Sequence, residues 1–302
     1  MFDIRAKQIQ KAYSNALRLG FNNNSKLVFL SDVHRGIDDN ADNFSQNQHI
    51  YFNALQKYYD NGYTLFELGD GDELWKNKRI SDIKEVYVNI FWMLGKFYAH
   101  NRYYMIYGNH DMEKRKQAWA AQNLQTFYDD RLNRDFPLFP DITPREAIVL
   151  QNEDTGREIF LLHGHQADLL NCELWRFARF LVRYLWRPLE SLGIKDPTSS
   201  SKNKQKKEAV EKELMDFVQN KMIMIAGHTH RANFPDVCGS NDKQPLYFND
   251  GSCVHPRCIT AIEIVEGRIS LVKWQVGTKP DGAMYICKKL LEGPCPIEDY
   301  FK

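Results

Sequence analysis

Five short apolar segments of the chain each end at residues of a metal-binding type, and this recurrence limits the fold more than any other feature. The segments cover residues 27–30, 63–68, 103–107, 159–162 and 222–226. Continuous apolar runs of this length are typical of strands buried on both faces. The polar side chains that follow them are Asp32 and His34, Asp70, Asn109, His163, and His228 with His230. Because ligand sites in open α/β sheets lie outside the carboxyl ends of the strands, we expect these side chains to share one site.

The rest of the sequence predicts helices that flank a sheet, followed by further strands. Residues 44–60 and 83–97 carry apolar side chains at three- and four-residue spacing, which is typical of amphipathic helices. Three apolar segments at 246–248, 259–264 and 269–276 predict strands joined by short turns, most simply antiparallel. We therefore expect one α/β domain over residues 1–302. It should contain two packed mixed β-sheets with flanking helices, and its site should lie at the strand carboxyl ends.

Composition and charge exclude several classes of protein. The chain has 302 residues, of which 43% are hydrophobic and 26% charged, and this composition excludes a mostly disordered chain. The 40 Lys and Arg residues nearly balance the 39 Asp and Glu residues, so global charge indicates neither nucleic acid nor an anionic membrane as partner. We expect a cytoplasmic protein with reduced thiols, because residues 1–20 lack a signal-peptide core and the six cysteines form no C-x-x-C pair.

The residue types at the five strand ends suit a pair of divalent metal ions. Imidazole and carboxylate are ligands for ions such as Mn, Fe and Zn. Two ions about 3.5–4 Å apart can clamp a displacement at phosphorus and lower the pKa of a bound water from 15.7 toward about 7. The sequence contains no nucleophile elbow and no P-loop. It therefore predicts hydrolysis of a phosphate ester or anhydride by a hydroxide held between two ions.

The order of the motifs resembles that of the calcineurin-like metallophosphoesterases. The pattern of that family is D-x-H, G-D, G-N-H-[DE], a His at a strand end, and G-H-x-H, and all five motifs occur here in order. The resemblance implies that Asp70 bridges the two ions. It also favours His163 over His165, because the ligand of the family is the first residue after the strand. One ion would be held by Asp32, His34, Asp70 and His230, and the other by Asp70, Asn109, His163 and His228.

The resemblance also implies a catalytic role for the residues that follow Asn109. His110 would protonate the leaving group or stabilise the phosphoryl oxygens, and Asp111 would orient its imidazole. The implied cofactors are two divalent ions. Manganese is expected first, and Fe, Zn, Ni or Co suit the same ligands.

Residues 168–220 form a predicted helical insertion between the strand-end His and the G-H-x-H motif. Within it, arginines at 176, 179, 183 and 187 recur at three- and four-residue spacing among aromatic residues, which predicts one cationic stripe on a helix. Two interpretations stay open. The helix is either buried with snorkelling arginines or a lid that offers guanidinium groups to phosphate, and it also allows peripheral membrane contact. The candidate substrate-binding residues are Arg35, Arg176, Arg183 and Arg231.

The neighbouring residues narrow the substrate class. The stretches G-D-G-D-E at 69–73 and G-N-H-D at 108–111 differ from the G-D-x-V-D-R-G and G-N-H-E of protein serine/threonine phosphatases. The aromatic, Arg-rich insertion and the acidic Glu73 are similar to features of the UDP-2,3-diacylglucosamine pyrophosphatases. That branch usually has Arg where this chain has His110. The resemblance implies a small phosphorylated, nucleotide-linked or lipid-linked substrate.

Two other functions remain alternatives. A nuclease or cyclic-nucleotide phosphodiesterase would need a basic groove with salt-dependent binding, and the near-zero net charge does not favour a nucleic-acid partner. A non-catalytic scaffold is the other, since one retromer subunit keeps this fold as an interaction module. A non-catalytic member of this kind usually lacks metal ligands or the catalytic His, and none of these residues is missing here. The sequence leaves the oligomeric state open.

Overall fold

The computed structural model describes residues 2–168, 172, 174–186, 204–219, 222–235 and 245–301. The α-helices are α1 Phe2–Ser14, α2 Gln48–Asp60, α3 Ile80–Val86, α4 Val88–Ala99, α5 Gln117–Asn123, α6 Trp175–Leu181 and α7 Lys204–Val218. The strands are β1 Leu17–Phe21, β2 Lys26–Leu30, β3 Thr64–Leu68, β4 Tyr103–Ile106, β5 Thr126–Asp129, β6 Arg134–Pro137, β7 Ala147–Asn152, β8 Glu158–Leu162, β9 Ile223–Ala226, β10 Tyr247–Asn249, β11 Cys258–Val265, β12 Arg268–Thr278 and β13 Met284–Pro296. Short 3₁₀ segments and one π-helical segment add Ser45–Asn47, Met112–Arg115, His165–Ala167, Ile297–Phe301 and Val182–Trp186.

Two mixed sheets form the centre of the fold. The six-stranded sheet has the order β13-β12-β11-β2-β3-β4, in which β2, β3 and β4 are parallel and the remaining pairs antiparallel. The five-stranded sheet has the order β1-β7-β8-β9-β10 and is parallel except between β7 and β8. A separate hairpin joins β5 and β6. The predicted α/β fold with two mixed sheets and flanking helices is confirmed.

The hydrophobic core has two main layers, as expected for strands that are apolar on both faces. Phe29 and Phe66 are register partners on β2 and β3, and their rings stack with centroids 5.3 Å apart in the layer that also contains residues of β8 and β9. On the other face of the six-stranded sheet, Tyr58 of α2 and Phe91 of α4 are buried in a second cluster. These layers fix the carboxyl ends of β2, β3, β4, β8 and β9 relative to one another.

The strand predictions hold at the five site-bearing segments, which correspond to β2, β3, β4, β8 and β9. The predicted strands at 259–264 and 269–276 are β11 and β12, and they are antiparallel as expected. The segment at 246–248 was also expected to be antiparallel to its neighbours, and that prediction is wrong. It forms β10, which runs parallel to β9 at the end of the five-stranded sheet.

Two predictions about helix boundaries also need correction. The single helix expected over 83–97 is interrupted at Tyr87, whose backbone angles of −106° and 37° divide it into α3 and α4. The stretch 196–207 is rich in Ser, Lys, Asn and Gln and has no apolar periodicity, which predicts an exposed loop. This prediction is wrong at its last four residues, because residues 204–207 are the first residues of α7. Residues 196–203 lie outside the described residues.

Within the described part of the chain, no helix is both long enough and apolar enough to cross a bilayer.

Candidate metal centre

Five of the predicted metal ligands have a left-handed backbone conformation. The φ angles are 50° at Asp32, 51° at His34, 51° at Asp70, 69° at His228 and 54° at His230. Residues other than glycine rarely adopt this conformation, which costs about 1–3 kcal/mol and clusters at functional sites. The strand ends therefore hold these side chains at a cost in backbone strain.

Backbone hydrogen bonds join the loop after β2 to the loop after β3. The amide of Asp32 donates to Gly69 O at 3.1 Å, and that of His34 donates to Asp70 O at 2.8 Å. Side-chain oxygens then join two further strand ends to these loops. Asp32 Oδ2 accepts from the His228 amide at 2.7 Å, and Asp70 Oδ1 accepts from the His110 amide at 2.7 Å. The other oxygen of each carboxylate, Oδ1 of Asp32 and Oδ2 of Asp70, points to the ligand atoms described next.

The first predicted ligand group comes together around Asp32 and Asp70. His230 Nε2 lies 2.9 Å from Asp32 Oδ1. His34 Nε2 lies 3.7 Å from that oxygen and 3.7 Å from Asp70 Oδ2. The two imidazole Nε2 atoms lie 3.3 Å apart. One ligand atom each from Asp32, His34 and His230 lie within 4.8 Å of one another, so one cation can contact all three.

The second predicted ligand group comes together on the other side of Asp70. His163 Nε2 lies 3.2 Å from Asp70 Oδ2 and 3.2 Å from Asn109 Oδ1. His228 joins this group, because the ligand atoms of Asp70, His163 and His228 also lie within 4.8 Å of one another. Asp70 Oδ2 also lies 3.7 Å from His34 Nε2, so its carboxylate lies between the two groups, as a bridging carboxylate would.

Hydrogen bonds at the far side of the rings direct the Nε2 atoms of His34 and His163 toward the site. His163 Nδ1 lies 2.9 Å from Leu68 O, a carbonyl that can only accept a hydrogen bond, so Nδ1 carries the proton. His34 Nδ1 lies 3.2 Å from Glu73 Oε2, and this contact fixes the orientation of the His34 ring in the same way. Partners of this kind orient imidazole ligands at metal sites and set their tautomer.

Both aspartates are ionised at neutral pH despite their burial. Burial alone would raise the pKa of Asp32, but the neighbouring His230 and His163 hold it well below its ordinary value. The pKa of Asp70 is lowered too, because His163, His110 and His34 outweigh the effect of burial. The site therefore presents two carboxylates among imidazoles.

The donor set fits two divalent ions. The ligand atoms are imidazole nitrogens, carboxylate oxygens and one amide oxygen, which suit Mn, Fe, Zn, Ni and Co. His228 Nε2 is a buried atom that has no hydrogen-bond partner within the described residues. Such an orphaned nitrogen in a cluster of ligands is satisfied by coordination to a metal.

The family model for calcineurin-like phosphoesterases matches residues 25–232 of this sequence, a span that contains all seven predicted ligands. The chain belongs to this family. None of the curated proteins matches this sequence.

Two solved structures are similar to this calcineurin-like phosphoesterase over most of its length. The cold-active protein-tyrosine phosphatase of a psychrophile, Shewanella sp., has 15% identity and a TM-score of 0.40, and the match covers 88% of this chain and 81% of that one. Vps29 of Chaetomium thermophilum has 10% identity and a TM-score of 0.35, with 88% and 96% covered.

His110, the predicted catalytic residue, is held by Glu73 and not by Asp111. His110 Nδ1 lies 2.9 Å from Glu73 Oε1, so one carboxylate contacts both His110 and His34. The Trp75 ring stacks on the His110 ring, with centroids 4.2 Å apart and an interplanar angle of 23°. The expectation that Asp111 orients this imidazole needs correction. The signal for Glu73 was its position three residues after Asp70.

Asp111 instead belongs to a buried charge cluster under the metal centre, defined by Arg35, Glu67, Asp72, Asp111 and Lys114. The Asp111 carboxylate accepts from the Gly108 amide at 2.7 Å and from Lys114 Nζ at 2.7 Å. Lys114 also lies 2.6 Å from Asp72. The cluster therefore stabilises the loops that carry Asp70 and His110. Sequence reasoning missed Lys114 because nothing in its spacing indicates burial.

Arg35 is a second correction. It was expected to contact substrate, but it is completely buried and donates to Asp72 at 2.7 Å and to Glu67 at 2.9 Å. Its guanidinium also lies over the Phe91 ring. The single positive charge of Arg35 is thus paired with two carboxylates inside the protein, and the side chain is out of reach of a substrate.

The predicted arginine stripe of the insertion is divided among different partners. Arg183 donates from Nε to Trp75 O at 2.9 Å, and it also bonds the carbonyl of Leu74, so it joins the helix to the loop after β3. This internal contact replaces the predicted contact of Arg183 with substrate. Arg179 pairs with Glu113. Arg176 is exposed, and Arg187 lies outside the described residues.

The remaining candidates lie at the rim of the site. Arg231 has a largely exposed side chain 3.6 Å from Glu211. His165 is buried beside His163, with ring centroids 5.5 Å apart, but it belongs to none of the ligand groups found in the described residues. Asp168 was not predicted, although its Oδ2 lies 3.7 Å from His228 Nε2.

A further carboxylate, Asp250, reaches the site through Ser31. The Ser31 hydroxyl lies 2.5 Å from Asp32 Oδ2 and 2.6 Å from Asp250 Oδ1. One hydroxyl proton can serve only one of these two acceptors. Burial, together with the nearby Asp32, raises the pKa of Asp250 well above its ordinary value, so Asp250 keeps its proton and can donate to Ser31.

Proposed function

We propose that this calcineurin-like phosphoesterase hydrolyses a phosphate ester or a diphosphate with two divalent metal ions. The observation that carries the proposal is the convergence of seven ligand side chains from five strand ends into two groups that share Asp70. The predicted general acid, His110, lies beside them and is hydrogen-bonded to the Glu73 carboxylate. Manganese is the first choice of ion, and Fe, Zn, Ni and Co suit the same donors.

The ions, when bound, neutralise the phosphate oxygens and supply hydroxide at neutral pH from a bound water. The protein itself would hold one ion with Asp32, His34, Asp70 and His230 and the other with Asp70, Asn109, His163 and His228. Its rigid strand ends and the fixed tautomers of His34 and His163 support this role, because preorganised ligands need no rearrangement during the reaction.

His110 would deliver the proton to the leaving group. Its Nδ1 is engaged by Glu73, so Nε2 is the ring nitrogen that remains for a substrate oxygen. Trp75 covers one face of the ring and restricts its rotation. Glu73 and Trp75 together fix the orientation of the ring, which a general acid needs in order to meet the leaving-group oxygen.

We further propose that the 168–220 insertion forms a lid beside His110 and that the substrate is a small nucleotide- or lipid-linked phosphate. Trp175 of α6 packs in one buried cluster with Trp75 and Met112, so the inner face of the helix adjoins the His110 loop. Arg176 and Arg231 are the two predicted arginines with exposed side chains, and either can reach a substrate phosphate. Resemblance to the UDP-2,3-diacylglucosamine pyrophosphatases supports a diphosphate as the substrate. The chain differs from that branch in having His110 where the branch usually has Arg.

The test is hydrolysis of a substrate panel by metal-stripped protein that is resupplied with Mn, Zn or Ni. The panel contains p-nitrophenyl phosphate, bis-p-nitrophenyl phosphate, UDP-sugars, a UDP-linked lipid and short single-stranded nucleic acid. We expect metal-dependent turnover that is greatest on a small phosphate or diphosphate. General acid catalysis contributes about 10²–10⁴-fold, so His110→Ala should lose that much turnover.

Matched controls separate the outcomes. His49 lies exposed on α2, so His49→Ala should keep full activity. Preferred turnover of nucleic acid with a steep salt dependence would support the nuclease alternative instead. Absence of turnover on every substrate, in protein shown to hold two ions, would favour the non-catalytic scaffold.

A further inference from the structure

The helix of the insertion has an unusual outer face. Five large apolar side chains there are about half exposed: Leu174 53%, Phe177 59%, Phe180 57%, Tyr184 57% and Leu185 49%. We name these five side chains the aromatic ridge. The first four recur at three- and four-residue spacing and Leu185 follows Tyr184 directly, so they lie along one side of α6 and the π-helical segment that follows it. An outward-facing stripe of this kind marks an interaction surface.

The ridge is not a loosely packed core face, because the opposite side of the same helix is already packed. Trp175 is buried against Trp75 and Met112, with Ala178 and Val182 beside it. Arg183 and Arg179 then attach the helix to the loops after β3 and β4. The helix is therefore held in place by its inner face, and the ridge stays directed away from the described core.

Two described basic side chains border the ridge. Lys78 Nζ lies 6.0 Å from the Tyr184 ring centroid, and Arg176 directly precedes Phe177 on the helix. Both side chains are exposed, and within the described residues no carboxylate forms an ion pair with either of them.

This combination matches an anionic lipid surface. The whole chain has a net charge of only +1, so the basic border is a local feature and not a reflection of overall charge. Helices that lie in a membrane interface combine aromatic and leucine side chains on one face with Arg and Lys at the edge. Arginine and lysine bind anionic headgroups, while the apolar ridge enters the acyl boundary.

We propose that the aromatic ridge docks this protein on an anionic membrane surface, with Lys78 and Arg176 at the headgroups. The contact is peripheral and does not depend on which phosphate the metal centre hydrolyses. It places the His110 loop, which the same helix covers, next to the lipid surface. Phosphorylated groups borne by the membrane would then be at the entrance of the site.

The test is co-sedimentation of the full-length, metal-loaded protein with phospholipid vesicles in the absence of substrate. We expect binding to vesicles of phosphatidylcholine with phosphatidylglycerol to be at least about tenfold stronger than to phosphatidylcholine alone, and to weaken in high salt. Phe177→Ser/Phe180→Ser should reduce binding by about tenfold or more, because two exposed aromatic side chains no longer enter the lipid. Its thermal unfolding midpoint should stay close to that of the wild type.

A matched control uses another exposed apolar region. Met284 and Leu290 lie on β13 and are 78% and 54% exposed, so Met284→Ser/Leu290→Ser should leave vesicle binding unchanged. Equal loss in both double variants, or no binding of wild type to either vesicle, would overturn the proposal. A stable dimer that disappears in the Phe177/Phe180 variant would also overturn it, since a second copy would then occupy the ridge.

Discussion

Glu73→Gln is the substitution that most sharply tests the geometry around His110. It keeps the size of the side chain and removes its charge. Glu73 is buried and accepts hydrogen bonds at both oxygens, from His110 Nδ1 at 2.9 Å and from His34 Nδ1 at 3.2 Å. Burial alone would raise its pKa, but His110 and His34 hold the pKa well below its ordinary value, so the group is an anion in any neutral assay.

The size of the effect follows from these two contacts. A glutamine has one acceptor oxygen, so it can serve only one imidazole, and its amide group then faces the other. A hydrogen bond to a charged group contributes about 1.5–3 kcal/mol. Loss of one such bond in the transition state corresponds to a fall in kcat of about 10- to 150-fold. Substitution of residues that orient metal ligands typically has an effect of about 10- to 100-fold.

The assay is steady-state hydrolysis of p-nitrophenyl phosphate together with calorimetric titration of metal. We expect kcat to fall by the amount above with little change in KM, and the ion at His34 to bind more weakly. Glu263→Gln is the matched control, because Glu263 is also buried and accepts from Tyr58 and Lys288 on the far face of the sheet. The control should lose stability and keep kcat. A Glu73→Gln enzyme with kcat within about twofold of wild type would refute the reasoning.

Two further predictions concern stability in metal-free protein. Lys114→Met leaves Asp111 without its buried cation and Asp72 with Arg35 alone, so the free energy of unfolding in urea should fall by about 3–5 kcal/mol, whereas a fall under about 1 kcal/mol would contradict the cluster. Asp250→Asn should match the wild type near pH 4 and become increasingly more stable than it as pH rises. The raised pKa of Asp250 means that the native state binds its proton more tightly than the unfolded chain, so the stability that Asp250 contributes is lost with rising pH. A difference that stays constant from pH 4 to about 8 would contradict a protonated Asp250.

The sequence was sufficient for the parts of the fold that have strong periodicity. Strands β2, β8 and β9 are buried on both faces, so residues 27–30, 159–162 and 223–226 appear as uninterrupted apolar runs, and β3 differs only by Thr64 and the buried Glu67. Strand β1, with residues LRLGF, and strand β13, which carries Lys288 and Lys289, lie at sheet edges. Edge strands alternate with polar residues and give a weak signal. The placement of β10 depended on long-range pairing, which local spacing does not encode.

At the site, too, local patterns were predictable and long-range contacts were not. Residues next to strand ends were predictable, because the parallel neighbours β2 and β3 bring Asp32 and Asp70 to one sheet edge, and packing of the second sheet adds His163 at the end of β8. The roles of Arg35 and Asp111 depended on which side chains fill the space under the loops. A buried arginine paired with two carboxylates has no signature in a single sequence, since its partners Glu67 and Asp72 are distant along the chain.

The most direct test of a dinuclear centre is the number of metal ions that each chain retains. Metal-stripped protein is reconstituted with Mn²⁺, desalted and measured by inductively coupled plasma mass spectrometry, for wild type, Asp70→Asn and the control His49→Ala. We predict two ions for wild type and for the control, and at most one for Asp70→Asn, because the Asp70 carboxylate lies between the two ligand groups, near His34 of one and His163 of the other. Retention of one ion or none by the wild type, or of two ions by Asp70→Asn with unchanged affinity, would contradict the bridged two-metal site.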